Sequence, residues 1–293
     1  MQRALPSSRQ LTAGVFYTLL GAVCFGTTGT IQAFAPEGCQ PMAVGTMRLV
    51  VGGLVMLLWV HFRSGFTHHV PWPKKATFTA AAGIVIFQIL FFQSLVRTGV
   101  AVGTVIAIGF GPMAGGIIEY LLRGTIPSRS WFTATVLALC GLVLLSIDDT
   151  ATVDMTGIIM ALGAGAGYAL YAANSQTILA DRSPQEMIAI LFTFGGIAMS
   201  PILFVYDISW MFTMRGFISI VLIGVIGTAM AYSFFATGLA ILPLSSGLTL
   251  GLAEPLVATL FGILLLGEVC SFQTAMGICI IFSGMIVIAR NPS

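Results

Sequence analysis

The chain reads as an all-α integral membrane protein of ten transmembrane helices, arranged as two inverted five-helix repeats. Three observations carry that class. Of 293 residues, 57% are hydrophobic and only 8% charged, with a mean hydropathy of +1.02. A soluble domain carries roughly 25% charged residues, so the solvent for this much apolar surface must be lipid. The apolar residues also fall into runs of membrane-spanning length, divided by short polar breaks. Finally, residues 91–146 overlay 234–289 at a constant offset of 143, without a gap. Phe91 and Phe92 then meet Phe234 and Phe235, Pro112 meets Pro255, Gly124 meets Gly267, and Gly141 meets Gly284. Raw identity is low; the weight rests on a mid-helix Pro and helix-ending Gly falling in register. A duplicated membrane unit is the signature of carriers that alternate access around a site between the repeats.

The spans follow from the breaks, each needing about 20 mostly apolar residues. They are expected at 12–34, 41–62, 76–96, 100–122, 130–147, 155–178, 185–206, 216–238, 246–266 and 272–289. Pro36-Glu37-Gly38, Pro71 to Lys75, Gly124 to Arg129, Asp148-Asp149, Asp181-Arg182 and Asp207 supply breaks, with tight turns expected near Arg97–Gly99 and Pro243. The first run follows Arg3 and Arg9, is too long for a cleaved signal peptide and lacks an A-x-A site, so it reads as a span. Two repeats are expected over 12–147 and 155–290, joined by an acidic extracytoplasmic linker at 148–154.

Orientation follows from the basic residues, which collect on the cytoplasmic side. With the N-terminus inside, the inside loops hold Arg3, Arg9, Arg63, Lys74, Lys75, Arg123, Arg129, Arg182 and Arg290, against Arg97 and Arg215 outside. Nine against two favours both termini in the cytoplasm. Five spans per repeat is an odd number, so the second copy must insert upside down.

A carrier of polar metabolites needs a mid-membrane cavity with hydrogen-bonding walls. Phe25, Thr28 and Gln32 recur on one face of span 1, and Tyr168, Tyr171 and Asn174 on span 6. Gln88, Phe91 and Phe92 in span 3, with Thr228, Tyr232 and Phe235 in span 8, supply a further stripe. Such rings can stack on a substrate while the amides and hydroxyls bind its polar groups; the same residue types also bond across packed membrane helices with no ligand.

Two charges lie within spans. Arg48 reads either as a partner for a substrate carboxylate or for Glu254, or as a snorkelling or structural residue. Glu254 reads as a proton site or cation contact, or as a partner for backbone groups freed by Pro255. Glu119, four residues before Arg123, is expected to pair with it structurally. Pro112 and Pro255 remove helix bonds at matched positions and read as gate hinges or as static kinks.

The two five-helix halves, Arg48, the Pro112 and Pro255 interruptions and Gly267-Glu268 closing span 9 together resemble the drug/metabolite transporter superfamily in its ten-helix EamA-type form. Within it the sequence is similar to bacterial inner-membrane exporters of aromatic and other neutral amino acids. The resemblance implies a multi-pass protein of the bacterial inner membrane whose partners are lipid and a small-molecule substrate, an amino acid. Two departures stand out: Thr125 where the second repeat has Glu268, and Glu254 where a neutral residue is expected beside Pro255.

Other classes lack their residues. There is no H-E-x-x-H, no G-x-S-x-G with an intramembrane His, and no pair of intramembrane aspartates, so an enzyme is not expected. No Walker motif points to ATP, no ring of like charge to a channel, and no basic stripe to nucleic acid. No cofactor or metal is expected: the five cysteines form no CxxC pair and read as small packing residues, and His61, His68 and His69 share a solvated loop. Trp59, Trp72 and Trp131 read as interfacial anchors. The expected function is secondary export of amino acids with an aromatic or neutral preference; the alternative is export of other small metabolites or cationic drugs. The sequence sets no oligomeric state.

Overall fold

Apolar runs without water to satisfy their backbone must close their hydrogen bonds within themselves. The computed structural model describes residues 7–67, 70–124, 126–146, 154–267 and 269–292, and all regular structure among them is helical. Arg3, His68, His69, Thr125, Glu268, the linker at 148–153 and the side chain of Arg123 lie outside the described residues, with the expectations placed on them.

Ten helices follow one another: α1 (Ser8–Ala33), α2 (Pro41–Arg63), α3 (Lys74–Val100), α4 (Val102–Leu121), α5 (Arg129–Ser146), α6 (Met155–Ile178), α7 (Pro184–Phe204), α8 (Met214–Leu239), α9 (Leu244–Leu266) and α10 (Phe272–Arg290). Nine of these are long and apolar enough to cross a membrane among the described residues; α5 is apolar but shorter. Their starts are chemically marked. Ser7 with Gln10, and Ser183 with Glu186, form reciprocal capping boxes, while Pro41 and Pro184 open α2 and α7. Gly124 and Gly267, one offset apart, both end their helices in the left-handed region at φ 66° and 74°. α3 and α4 form one helical run broken only at Gly99, whose φ of 80° no L side chain adopts readily.

The helices pack in an order that survives exchange of the two halves. α1 lies on α8 and α9, and α6 lies on α3 and α4; α2 meets α7, and α5 meets α10. The 143-residue offset extends beyond the segment that revealed it, relating Pro41 to Pro184 and Gly52-Gly53 to Gly195-Gly196. These glycines make reciprocal contacts: a Cβ on Gly53 would lie 2.8 Å from the Thr193 amide nitrogen, and one on Gly196 would lie 3.1 Å from Val50. In α5 and α10, Gly141 meets the Gly277 carbonyl while Gly284 meets that of Ala134. Contacts climbing one helix as they descend the other make both pairs antiparallel. Small residues let these backbones approach where lipid offers no hydrophobic drive to associate.

Three residues near helix ends pack inward. Arg182 lies in the α6–α7 loop, as counted, yet is buried at 5% exposure. Its guanidinium lies 4.5 Å from the Trp72 ring, donates to the carbonyls of Thr67 and Val70, and pairs with Glu186 at 3.6 Å. Trp72 is thus a stacking partner for Arg182. Trp131 also turns inward: its indole nitrogen is buried and its ring packs against Gly116. Trp59 is exposed as expected, 5.5 Å from the Arg63 guanidinium.

Candidate substrate cavity

A π-turn interrupts α8 at Val225–Met230, and such a bulge frees backbone acceptors from the regular ladder. Arg48 of α2 takes one of them and a neighbouring hydroxyl. Its Nε donates to Thr228 Oγ1 at 3.1 Å and its Nη2 to the Gly227 carbonyl at 2.8 Å. The Thr228 hydroxyl in turn donates to the Ile223 carbonyl at 2.9 Å. Arg48 is therefore neither snorkelling nor loose. Two of the guanidinium's five N–H groups are engaged with α8, and the side chain lines an adjoining cavity.

That cavity has a volume of about 580 Å³ and reaches the α3–α4 turn, where Val100 is exposed. Thr28 and Gln32 of α1, Phe91 and Phe92 of α3, Thr104 of α4, and Glu254 and Pro255 of α9 line it with Arg48. All its helix-end residues belong to one end of the bundle, where α1 ends and α2 begins. Below it a small recess of about 50 Å³ shares Phe25, Arg48, Phe91 and Glu254, and is walled by Pro112, Tyr168, Tyr232 and Leu248. Its floor is aromatic: Phe25 meets Tyr232 edge-on at 4.7 Å, and Tyr168 lies 5.8 Å from Phe235. One cation and one carboxylate, Arg48 and Glu254, thus face both spaces in a wall otherwise built of apolar and neutral polar groups. The buried Thr28 hydroxyl has no hydrogen-bond partner among the described residues.

Eleven of the residues expected at the site line these spaces: Phe25, Thr28, Gln32, Arg48, Phe91, Phe92, Pro112, Tyr168, Tyr232, Glu254 and Pro255. Five do not, Thr228 being taken up by Arg48. Gln88 is fully buried and gives its amide to the Gly45 carbonyl of α2 at 3.4 Å. Asn174 turns back to the Leu170 carbonyl at 2.8 Å. Tyr171 and Phe235 are buried in the aromatic floor, against Phe192 and Tyr232 and against Phe25 and Tyr168 respectively. Nor do the two prolines act alike. α9 is interrupted at Leu252, just before Pro255, whereas α4 stays helical through Pro112.

The profile of the EamA-like transporter family matches this sequence twice, over residues 12–147 and again over 155–290. The chain belongs to that family. As an EamA-like protein of the drug/metabolite transporter superfamily it is a membrane transporter, and it has bacterial relatives. Uncharacterized transporter YwfM of Bacillus subtilis (strain 168) is 42% identical over 277 residues, covering 94% of this chain and 93% of its own. Threonine/homoserine exporter RhtA of Salmonella typhimurium (strain SL1344) is 28% identical over 257 residues, covering 85% and 83%. A solved crystal structure superposes with a TM-score of 0.83 at 14% identity, covering 95% of this chain and 97% of its own, a likeness of fold.

Gly99, expected in a tight turn, also lines the cavity. Sequence reasoning missed two other parts of this EamA-like site. Thr104 lacked a periodic neighbour to mark its face. The π-turn that holds Arg48 has no sequence signal, because it shows only as a shifted hydrogen-bond ladder.

Proposed function

We propose that this transporter exports zwitterionic amino acids of neutral side chain from the bacterial cytoplasm by alternating access. The observation that carries the reading is the pairing of Arg48 and Glu254 in one cavity. A guanidinium with N–H groups to spare suits a carboxylate, and a carboxylate across the same space suits an ammonium. Together they favour a molecule bearing both charges. The opposing cation counts against the alternative, a cationic drug, and the name of the relative RhtA points the same way.

The topology proposed with it is ten spans in two inverted repeats, 12–147 and 155–290, joined by an outer linker at 148–154, with both termini in the cytoplasm of an inner-membrane protein. It is supported by the basic-residue count and by the antiparallel contacts of α2 with α7 and α5 with α10. On that topology the cavity is open to the outside.

Purified protein in liposomes should move labelled threonine, homoserine or phenylalanine faster than protein-free liposomes. Phenethylamine, which lacks the carboxylate, and phenylpropionate, which lacks the ammonium, should compete about tenfold less well or worse, as expected when a charged hydrogen bond is lost. Equal competition by the amine would sink the zwitterion reading and favour cationic cargo. Arg48→Gln should abolish carboxylate discrimination.

A further inference from the structure

The α4–α9 pair is parted at one end and tied at the other. At the parted end, Ala258 and Thr259 of α9 and Val102 and Thr104 of α4 line the large cavity. At the opposite end, Gly115 of α4 packs so closely on Leu248 of α9 that a Cβ there would overlap its side chain. One turn on, the Glu119 carboxylate, 7% exposed, accepts the Ser245 amide N–H at 3.0 Å. Gln176 of α6 donates to the carbonyls of Leu239 and Leu242 at 3.0 and 2.8 Å, fixing the α8–α9 turn beside it.

Ser245 lies in the first turn of α9, where amides have no partner within the helix and carry partial positive charge. Pro243, at the N-cap position, has no side chain to satisfy them. Glu119 therefore does from a neighbouring helix what a capping residue does within its own. The 143-residue offset shows why the tie is one-sided. It relates Glu119 to Gly262, Gln176 to Ala33, and Gly115 to Ala258. At the other end of the same helix pair, the equivalent positions carry no group able to make either bond.

The geometry points to Glu119 as the latch of the cytoplasmic gate. Its hold on the first turn of α9 keeps the inner ends of α4 and α9 together while the outer ends stand apart. Release of that hold lets the inner ends separate. The inference rests on the alternating-access reading above, but on no particular substrate, and Glu119 is a positioning residue that touches none.

The test uses the full chain with its five cysteines replaced and one reporter at a time, Thr104→Cys in the outer cavity or Ile118→Cys beside the latch. An impermeant maleimide is applied from each face of oriented membrane vesicles. Glu119→Ala should raise inner labelling at 118 and lower outer labelling at 104, changing their ratio about tenfold or more, as expected when a charge-assisted hydrogen bond is lost in a two-state equilibrium. Glu119→Gln, which still offers an acceptor oxygen, should fall between. An unchanged ratio overturns the latch. A rise at both positions also overturns it, because general loosening of the bundle would produce that result. Labelling needs no cargo, so failure of the amino acid panel would leave this outcome standing.

Discussion

The α2–α7 and α4–α9 pairs are each built from helices one offset apart, yet they behave differently. In α2–α7 the copies agree: Gly53 meets Thr193 and Gly196 meets Val50 in the same way. In α4–α9 they disagree. Gly111 stands opposite Glu254 in register and Glu119 opposite Gly262, while one helix runs through its proline and the other breaks before it. Equal residues give a contact that looks the same from both halves, which suits a scaffold. Unequal residues leave one end of the pair tied and the other parted. The duplication supplies the frame, and its broken symmetry sets which end is held.

The largest effect is expected where the copies agree. Gly53→Leu places a side chain against the Thr193 backbone, which cannot give way as a flexible side chain would. It should cost more than ~3 kcal/mol and abolish the monodisperse peak in size exclusion. A folded Gly53→Leu protein would show that the α2–α7 contact is not a rigid scaffold.

Next comes the Arg182 clamp, which ties the loop after α2 to the start of α7. Arg182→Met leaves Glu186 buried without its cation and should cost about 3–5 kcal/mol, read as a lower melting temperature in detergent. Adding Glu186→Gln should recover much of the loss, since Gln still accepts the Thr67 amide now bonded at 2.5 Å. If Arg182→Met left melting unchanged but altered transport, the clamp would belong with the moving parts.

The prolines sharpen the comparison within α4–α9. Pro255→Ala, beside the interruption at Leu252, should lower transport several-fold more than Pro112→Ala, whose helix is unbroken. Equal effects in a liposome uptake assay would restore the symmetry of the two hinges.

The smallest effect is expected at the exposed Asp154, the N-cap of α6. The Thr156 amide N–H, donating at 2.8 Å, and Arg97 at 3.4 Å hold its carboxyl below the usual carboxylate range. Its contribution is therefore present at neutral pH and lost as pH falls through that lowered value. Asp154→Asn should leave transport unchanged at pH 7, and a clear loss would mean that this cap takes part in transport.

Much of this is legible in the sequence alone. The prolines of α4 and α9, the glycines that end them, and the charges in α2 and α9 were readable because each is rare in a lipid-facing helix and carries a definite cost there. The five residues expected at the site that turned elsewhere show the limit. Gln88 and Asn174 have the chemistry of substrate ligands, but a buried amide is equally satisfied by a backbone carbonyl, and spacing cannot tell the two apart. Arg182 was legible as a loop residue but not as a buried one, because its partners, the carbonyls of Thr67 and Val70, are more than a hundred positions away.

By itself the sequence determined a helical membrane protein and a repeated unit, because burial in lipid and register are properties of residue order. Only the tertiary structure decided that Arg48 is held by a π-turn, that Arg48 and Glu254 share one cavity, and that α4 and α9 touch at a single end. Those depend on which backbone groups are left unpaired when distant helices meet, and local order does not encode that.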